Sequence, residues 1–264
     1  MDRKLSQRSA CGWVALARSS FHYRPRPRPY EDWLRQKLRE LAQQHPSYGY
    51  RLQCSLLRRM GEAVNGKRMH RLWKREGLQL PRRRKRKRAV GPQGDVRQKP
   101  AFVHHVWSYD FLFDGLVGGR PLKVFAVLEE FTRQCLALVA DRSIRSQAVV
   151  ATLQRLVKLH GAPCHLRSDN GPEFVACRVR EWLEDQGVQT IFITPGSPWE
   201  NPYIESFFDK LRGGCLNREY FYSVTEANVI LQRWRKHYNE FRPHSSLGYQ
   251  TPAEVAHIHS SLTL

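Results

Sequence analysis

From residue 106 onward, short apolar runs alternate with turn signals, a pattern typical of β-strands. Three such runs come first and are rich in Val, Leu, Phe and Tyr: VWSYDFLFDGLV, PLKVFAVLEEF and QCLALVAD. The spacing of apolar residues then becomes helical in SQAVVATLQRLVKLHG, where Gly161 and the following Pro163 predict a helix end. A strand CHLRSD, a helix ACRVREWLEDQG and a strand VQTIFIT follow. Five strands and at least two covering helices are therefore predicted.

The next segment, NPYIESFFDKLRGG, predicts one more helix, because Asn201 is a good N-cap and Pro202 is favoured at the first helical position. Its apolar residues recur at helical spacing and predict a buried stripe of Ile204, Phe207, Phe208 and Leu211. Three strands followed by alternating helices and strands indicate an α/β fold. It has the ribonuclease H-like topology, a mixed five-stranded sheet with flanking helices.

The first hundred residues carry helical patterns instead. YEDWLRQKLRELAQQHP and YRLQCSLLRRM predict two amphipathic helices, and NGKRMHRLWKREG predicts a third helix that Asn65 caps. On a helical wheel, the third helix places Met69, Leu72 and Trp73 on one side. Five cations occupy an arc of about 120° on the other, namely Lys67, Arg68, Arg71, Lys74 and Arg75. This is the arrangement of a recognition helix in a helix-turn-helix unit, although a merely solvated charged face is the alternative.

The charge of the chain is concentrated at one end. Of the formal net charge of +20, residues 1–100 carry all, with 27 Lys and Arg against 7 Asp and Glu, whereas residues 101–264 are balanced at 17 against 17. A basic arm of this kind predicts double-stranded DNA as the partner, since binding phosphates releases counterions. A basic run adds either a phosphate-binding strap or a nuclear import signal: Arg82, Arg83, Arg84, Lys85, Arg86, Lys87 and Arg88.

These patterns predict five segments. They are a small basic helical segment (1–29), small all-α helix-turn-helix units (30–80), a basic linker (81–100), a catalytic core with a C-terminal helical extension (101–255) and a tail (256–264). The chain has no apolar run long enough for a membrane span and no signal peptide pattern. Its six cysteines form no C-x-x-C pair, which favours reduced thiols and a cytoplasmic location.

Three carboxylates are predicted to meet at the sheet. Asp110 lies within the first strand, Asp169 ends the fourth, and Glu205 lies in the first turns of the last helix. Carboxylates that converge repel one another unless divalent cations lie between them. Two Mg²⁺ ions, with Mn²⁺ as a substitute, would activate an attacking hydroxyl or water and stabilise the leaving oxygen of a phosphodiester.

Two alternatives concern these acids. Asp169 precedes Asn170 and Gly171, so it can simply cap a turn, with Glu173 as a supporting neighbour. Asp114 shares a strand face with Asp110 and is the rival first acid, although its position beside a Gly turn favours a turn role.

The spacing of the acids is specific, because 35 residues separate Asp169 from Glu205. With WSYDF, DNGPEF, IESF and YNEFRPHSSLGY, and over nearly the whole length, the chain resembles the catalytic-frame protein of a two-frame bacterial insertion sequence. Such proteins carry an integrase catalytic core of the D,D-35-E type. One departure is LEEFT at 128–132, where Glu129 and Glu130 stand at positions at which an aspartate is common.

The resemblance implies that Asp110, Asp169 and Glu205 are the catalytic, metal-binding acids, and that Arg212 is the basic residue two turns after the last of them. It also implies Mg²⁺-dependent cleavage at transposon ends and strand transfer, assembly as an oligomer on DNA, and an upstream-frame partner subunit. Two other classes compete: a nuclease of this fold that only hydrolyses, and an inactive transposon-derived DNA-binding protein.

Overall fold

The computed structural model describes residues 6–23, 29–81, 98–169, 171, 177–194 and 200–260. All five predicted strands are present: β1 (Val106–Gly115), β2 (Pro121–Glu129), β3 (Cys135–Asp141), β4 (His165–Ser168) and β5 (Gln189–Phe192). They form one sheet in the order β3-β2-β1-β4-β5. The first three strands pair antiparallel, and β4 and β5 pair parallel to β1. The predicted ribonuclease H-like topology is confirmed.

Ten α-helices are described. Five precede the sheet: α1 (Gln7–Trp13), α2 (Arg18–Phe21), α3 (Pro29–Gln44), α4 (Tyr50–Arg59) and α5 (Gly66–Arg75). Five belong to the sheet unit: α6 (Ser146–His160), α7 (Cys177–Asp185), α8 (Pro202–Leu211), α9 (Val224–Glu240) and α10 (Pro252–Ser260). Between α8 and α9 the chain continues as a π-helical segment, Arg212–Leu216.

Each face of the sheet carries its own hydrophobic core. On one face, α8 and α9 pack Phe207 and Tyr238 against residues such as Leu128. On the other face, α6 packs Leu153 against Trp107 and its neighbours. Covering both faces explains why the strands are almost continuously apolar. The two cores together hold the strands that carry the acidic residues.

Strand β3 lies at one edge of the sheet, and side-chain amides of α9 form hydrogen bonds with its backbone. Asn239 of α9 accepts a hydrogen bond from the N–H of Cys135 and donates one to its carbonyl, both at 2.9 Å. Asn228 makes the same pair of bonds with Ala140 at 2.9 and 2.8 Å, and Gln232 donates to the carbonyl of Leu138 at 2.5 Å. The helix thus replaces a sixth strand, which protects β3 from pairing with another chain.

Helices α3, α4 and α5 form a separate three-helix core. Its buried residues include Leu34, Leu38, Leu57, Met69 and Leu72. The predicted N-cap of α5 is confirmed, because the side chain of Asn65 accepts a hydrogen bond from the N–H of Lys67 at 2.8 Å. A cap of this kind sets where the helix begins.

This three-helix unit packs against the C-terminal helices of the sheet unit. Arg59 at the end of α4 donates two hydrogen bonds to the carboxylate of Glu254 on α10, at 2.9 and 2.5 Å. The ring of His45 stacks on that of His237 in α9, with centroids 5.3 Å apart. Across the described residues, no helix combines the length and apolar character that a membrane crossing requires.

Replacing the buried Asn239 with alanine tests the amide closure of the edge strand. Asn239→Ala removes the hydrogen bonds that the amide makes with the N–H and carbonyl of Cys135, although Arg235 still donates to that carbonyl at 3.4 Å, and we expect the free energy of unfolding to fall by about 2 kcal/mol. Urea denaturation measures this change. Lys236→Ala, an exposed change on the same helix, is the control, and an equal loss in both variants would contradict the role of the amide.

Candidate active site

Asp110 lies in the middle of β1, paired with Ala126 of β2, and is half-buried. Its Oδ1 accepts a hydrogen bond from the N–H of Phe111 at 2.7 Å. Burial, with smaller contributions from the charges of Asp169 and Glu205, raises the pKa of Asp110 to about 7, and the Phe111 hydrogen bond opposes this rise. The carboxylate of Asp110 therefore lies within electrostatic reach of both other acids.

Asp169 reaches the same place through the parallel pairing of β1 and β4. Ser108 is opposite Arg167 in that ladder, and Asp110 and Asp169 each lie two residues further along their own chains. The Oδ1 of Asp169 accepts a hydrogen bond from the N–H of Gly171 at 2.9 Å. The turn-capping geometry is thus real, and it orients a carboxylate whose charge acts on Asp110. Asn170 and Glu173 lie outside the described residues.

Glu205 is in the first turn of α8 and points to solvent, while Ile204, Phe207 and Leu211 are buried. Burial raises the pKa of Glu205, and the charge of Asp209 adds to the effect. The predicted N-cap is only half correct. Asn201 occupies the cap position, but its side chain makes no capping hydrogen bond.

The three acids share a neighbourhood without forming a finished ligand set. Within the part of the chain that the structure describes, no three His, Cys, Asp or Glu side chains come close enough to hold a metal ion. The donor set is nevertheless the all-oxygen one that Mg²⁺ prefers.

Sequence reasoning missed a buried ion pair beside the acids. Arg167, two residues before Asp169, lies 3.0 Å from Glu130, and both side chains are almost fully buried. The same guanidinium donates hydrogen bonds to the carbonyls of Glu200 at 3.1 Å and Gln98 at 2.7 Å. It therefore ties β4 to the segment that leads into α8. The available signal was a charged residue inside each of two apolar strand patterns.

The remaining acids and bases of the sheet unit separate by location. Asp114 lies at the end of β1, opposite Leu122, and accepts a hydrogen bond from the N–H of Gly115 at 2.8 Å, and its charge acts on Cys215 rather than on Asp110. Arg212 begins the π-helical segment and donates to the carbonyl of Phe113 at 3.4 Å. That places Arg212 beside β1, and its contact with DNA stays a prediction.

The segment after α9 packs against both the sheet unit and the helix-turn-helix unit. His244 is buried against Tyr238, with ring centroids 4.7 Å apart, and burial lowers the pKa of His244 to about 3. The guanidinium of Arg242 lies 4.7 Å from the centre of the Tyr48 ring, in the turn between α3 and α4. The contact of Arg242 with Tyr48 joins this segment to the helix-turn-helix unit.

On α5 the predicted division of the helix is confirmed, with Met69, Leu72 and Trp73 buried. The opposite face is exposed and carries the five predicted cations: Lys67, Arg68, Arg71, Lys74 and Arg75. A carboxylate of α3 compensates part of this positive charge. Glu31 of α3 lies 2.8 Å from Arg71 and 4.0 Å from Arg75. The run from Arg82 to Arg88 lies outside the described residues.

The ribonuclease H-like sheet, with Asp110 on β1, Asp169 directly after β4 and Glu205 on α8, has the fold of an integrase core. The model of the family described as "Integrase core domain" matches residues 102–198, a second model with that description matches 186–252, and "HTH-like domain" matches 29–86. A chain of the simian T-cell lymphotropic virus intasome, solved with the PP2A regulatory subunit B56 gamma, has the same fold. Its TM-score is 0.53 at 12% identity, over 73% of this chain and 66% of that one.

Close relatives narrow the class. The chain is 40% identical to the insertion element IS476 uncharacterized 39.2 kDa protein of Xanthomonas euvesicatoria, over 96% of this chain and 72% of that protein. It is 38% identical to the insertion element IS407 uncharacterized 31.7 kDa protein of Burkholderia multivorans, over 97% and 92%. The chain belongs to the insertion-element transposases with an integrase core.

The raised pKa of Asp110 predicts a pH-dependent stability. Between pH 4 and 7 the folded protein binds more protons at this carboxyl than the unfolded chain does, so the contribution of Asp110 to stability falls as pH rises through this window. In the presence of a metal chelator, we expect Asp110→Asn to raise the free energy of unfolding by about 2–4 kcal/mol at pH 8. The gain should shrink towards zero near pH 4. Urea denaturation at both pH values measures it, and the same profile in Asp114→Asn would contradict the assignment.

Releasing the arginines of α5 should strengthen DNA binding. Glu31→Gln removes the carboxylate beside Arg71 and Arg75, and we expect a several-fold lower Kd for a duplex and a steeper dependence on salt. Anisotropy titrations of the full chain at two salt concentrations measure both quantities. Glu40→Gln on the same helix, beside Lys37, is the control. An unchanged Kd in Glu31→Gln would show that these two arginines do not face the DNA.

Proposed function

We propose that this transposase cleaves DNA at transposon ends and transfers the resulting strand to a target, using Asp110, Asp169 and Glu205 as its catalytic and metal-binding residues. The observation that carries the proposal is the electrostatic coupling of Asp110 to both other acids. The parallel register of β1 and β4 places Asp169 near Asp110, and 35 residues separate Asp169 from Glu205.

The three carboxylates would hold Mg²⁺, or Mn²⁺ in its place, at two positions. The metal supplies activation of the attacking hydroxyl or water and stabilisation of the leaving oxygen when it is bound. The contribution of the chain is placement: the turn at Gly171 aims Asp169, and the buried stripe of α8 leaves Glu205 outside the core. Deprotonated Asp110 is the form that binds cations, so its raised pKa in the metal-free protein makes cation binding release a proton near neutral pH.

The proposed partners follow from charge and from the relatives. The cations of α5, Arg212 and the run at 82–88 would contact the phosphates of double-stranded DNA. Assembly as an oligomer on DNA is supported by the likeness to an intasome. An upstream-frame subunit and a cytoplasmic, nucleoid-associated location complete the proposal. A nuclease that only hydrolyses would leave the basic units of residues 1–100 without a purpose, and an inactive copy would be expected to lack one of the acids.

Neutral variants of the acids test the mechanism. Asp169→Asn keeps the hydrogen bond from Gly171 but removes the charge, so the folded variant should bind DNA normally. Its cleavage and strand transfer should fall by about three orders of magnitude or more. Asp110→Asn and Glu205→Gln should behave alike, and double variants should lose little more. The assay follows labelled transposon ends with Mg²⁺.

The control is Asp114→Asn, which removes a carboxylate from the same strand as Asp110 and should retain activity. Near-normal cleavage by folded Asp169→Asn would return that residue to turn capping alone. Cleaved ends that are never joined to target DNA in the wild-type reaction would favour the hydrolytic alternative. Loss of activity in Asp114→Asn would make Asp114 the first acid.

A further inference from the structure

A cleft of about 600 Å³ lies where the helix-turn-helix unit meets the sheet unit. Helices α4 and α5 form one wall, with Tyr50, Arg51 and Lys67. The turn at Gly248 and Tyr249, just before α10, forms the other. The ion pair of Arg59 with Glu254 is one of the contacts that hold the two units together beside the cleft. Its volume is in the range of small-ligand sites.

The cleft is strongly basic. Four cations line it, Arg51, Arg58, Arg59 and Lys67, and none of its described lining residues is acidic. Arg59 is neutralised by Glu254, but Arg58 donates its hydrogen bonds to the uncharged carbonyl of Val64. Arg51 bonds to a tyrosine hydroxyl. About three positive charges therefore face the cleft without a carboxylate, which is the requirement for an anionic ligand.

Aromatic rings interleave with these cations. The ring of Tyr50 lies 4.7 Å from that of His70, and both rings line the cleft. Across from them, Tyr249 is half-buried. A groove that alternates cations with flat rings suits a nucleic acid strand, because phosphates pair with the cations and sugars or bases stack on the rings.

The turn that carries Tyr249 is held in an unfavourable conformation. Tyr249 has φ of 68° directly after Gly248 with φ of 62°, and a bulky side chain rarely adopts such angles. Two backbone hydrogen bonds hold the turn: the N–H of Tyr249 donates to the carbonyl of His244 at 2.8 Å, and the N–H of His244 donates to that of Gln250 at 3.0 Å. Strain of this kind concentrates at ligand-binding positions.

We infer that this cleft binds the backbone of one strand of the DNA duplex that α5 contacts, with Arg51, Arg58 and Lys67 on its phosphates and the ring of Tyr249 packed against a sugar. Lys67 belongs both to the cleft and to the cationic face of α5, so the surface is continuous. The inference rests on the proposed function for the identity of the ligand as DNA, and it adds a contact made by the sheet unit.

Binding of a fluorescent duplex to the full chain, in EDTA so that no cleavage occurs, tests the cleft. Arg51→Gln removes one phosphate contact, so the slope of log K against log salt should fall by about 0.9, and Arg51→Lys should retain it. Tyr249→Gly removes the ring at a position where glycine relieves the backbone strain. It should raise the Kd about fivefold or more with the slope unchanged, since the ring carries no charge. Tyr249→Phe should bind like the wild type.

The matched control is Lys158→Gln, which removes an exposed cation from α6. Millimolar phosphate and dAMP distinguish a small-anion site, because a strand-binding cleft should not let either compete with the duplex at constant ionic strength. Wild-type slope in Arg51→Gln and wild-type affinity in Tyr249→Gly would overturn the inference, as would full competition by phosphate. Since no step requires metal, failure of strand transfer would leave these results unaffected, and failure of the cleft would leave the acidic mechanism intact.

Discussion

Hydrogen bonds between β1 and β4 hold Ser108 opposite Arg167, and the acidic edge depends on this register. From that pair, both chains run two residues further in the same direction and deliver Asp110 and Asp169 side by side. A slip of one residue would turn the side chain of Asp169 to the other face of the sheet, since side chains alternate along a strand. Whatever holds β4 in place therefore also holds the site.

The buried ion pair of Arg167 and Glu130 is well suited to that task. A slipped β4 would separate the two charges inside the core, and an unpaired buried charge costs about 3–5 kcal/mol. The pair adds little to stability in comparison with apolar residues of similar size, yet it penalises the wrong register strongly. Both glutamates of the unusual LEEFT segment, at 128–132, have structural partners. Glu129 accepts hydrogen bonds from the N–H groups of Phe131 and Thr132, and Glu130 partners Arg167.

Much of this molecule could be predicted because its local patterns agree with its tertiary structure. Short apolar runs separated by turn signals predicted the five strands, and Asn65 predicted the start of α5. Contacts between distant segments could not be predicted in the same way. The hydrogen bonds from Asn228 and Asn239 of α9 to β3 join residues that are 40 or more positions apart in sequence. The same is true of the ion pair between Arg71 and Glu31. Pattern analysis of either segment alone carries no information about its partner. The side chain of Asn201 likewise makes no capping hydrogen bond, and its backbone, at φ −119° and ψ 50°, departs from the extended conformation that N-cap residues adopt.

The uneven charge of the chain has a physical reason in the acidic edge. Three carboxylates repel a phosphate backbone, and residues 101–264, with 17 Lys and Arg against 17 Asp and Glu, carry no excess of positive charge that would attract it. Attraction to DNA must then come from the basic first hundred residues. Attraction alone would leave the duplex at an arbitrary position, so the basic unit also has to be fixed relative to the acids. The contacts of Arg59 with Glu254 and of His45 with His237 provide that link. They connect the helix-turn-helix unit, through α9 and α10, to the sheet that carries the carboxylates.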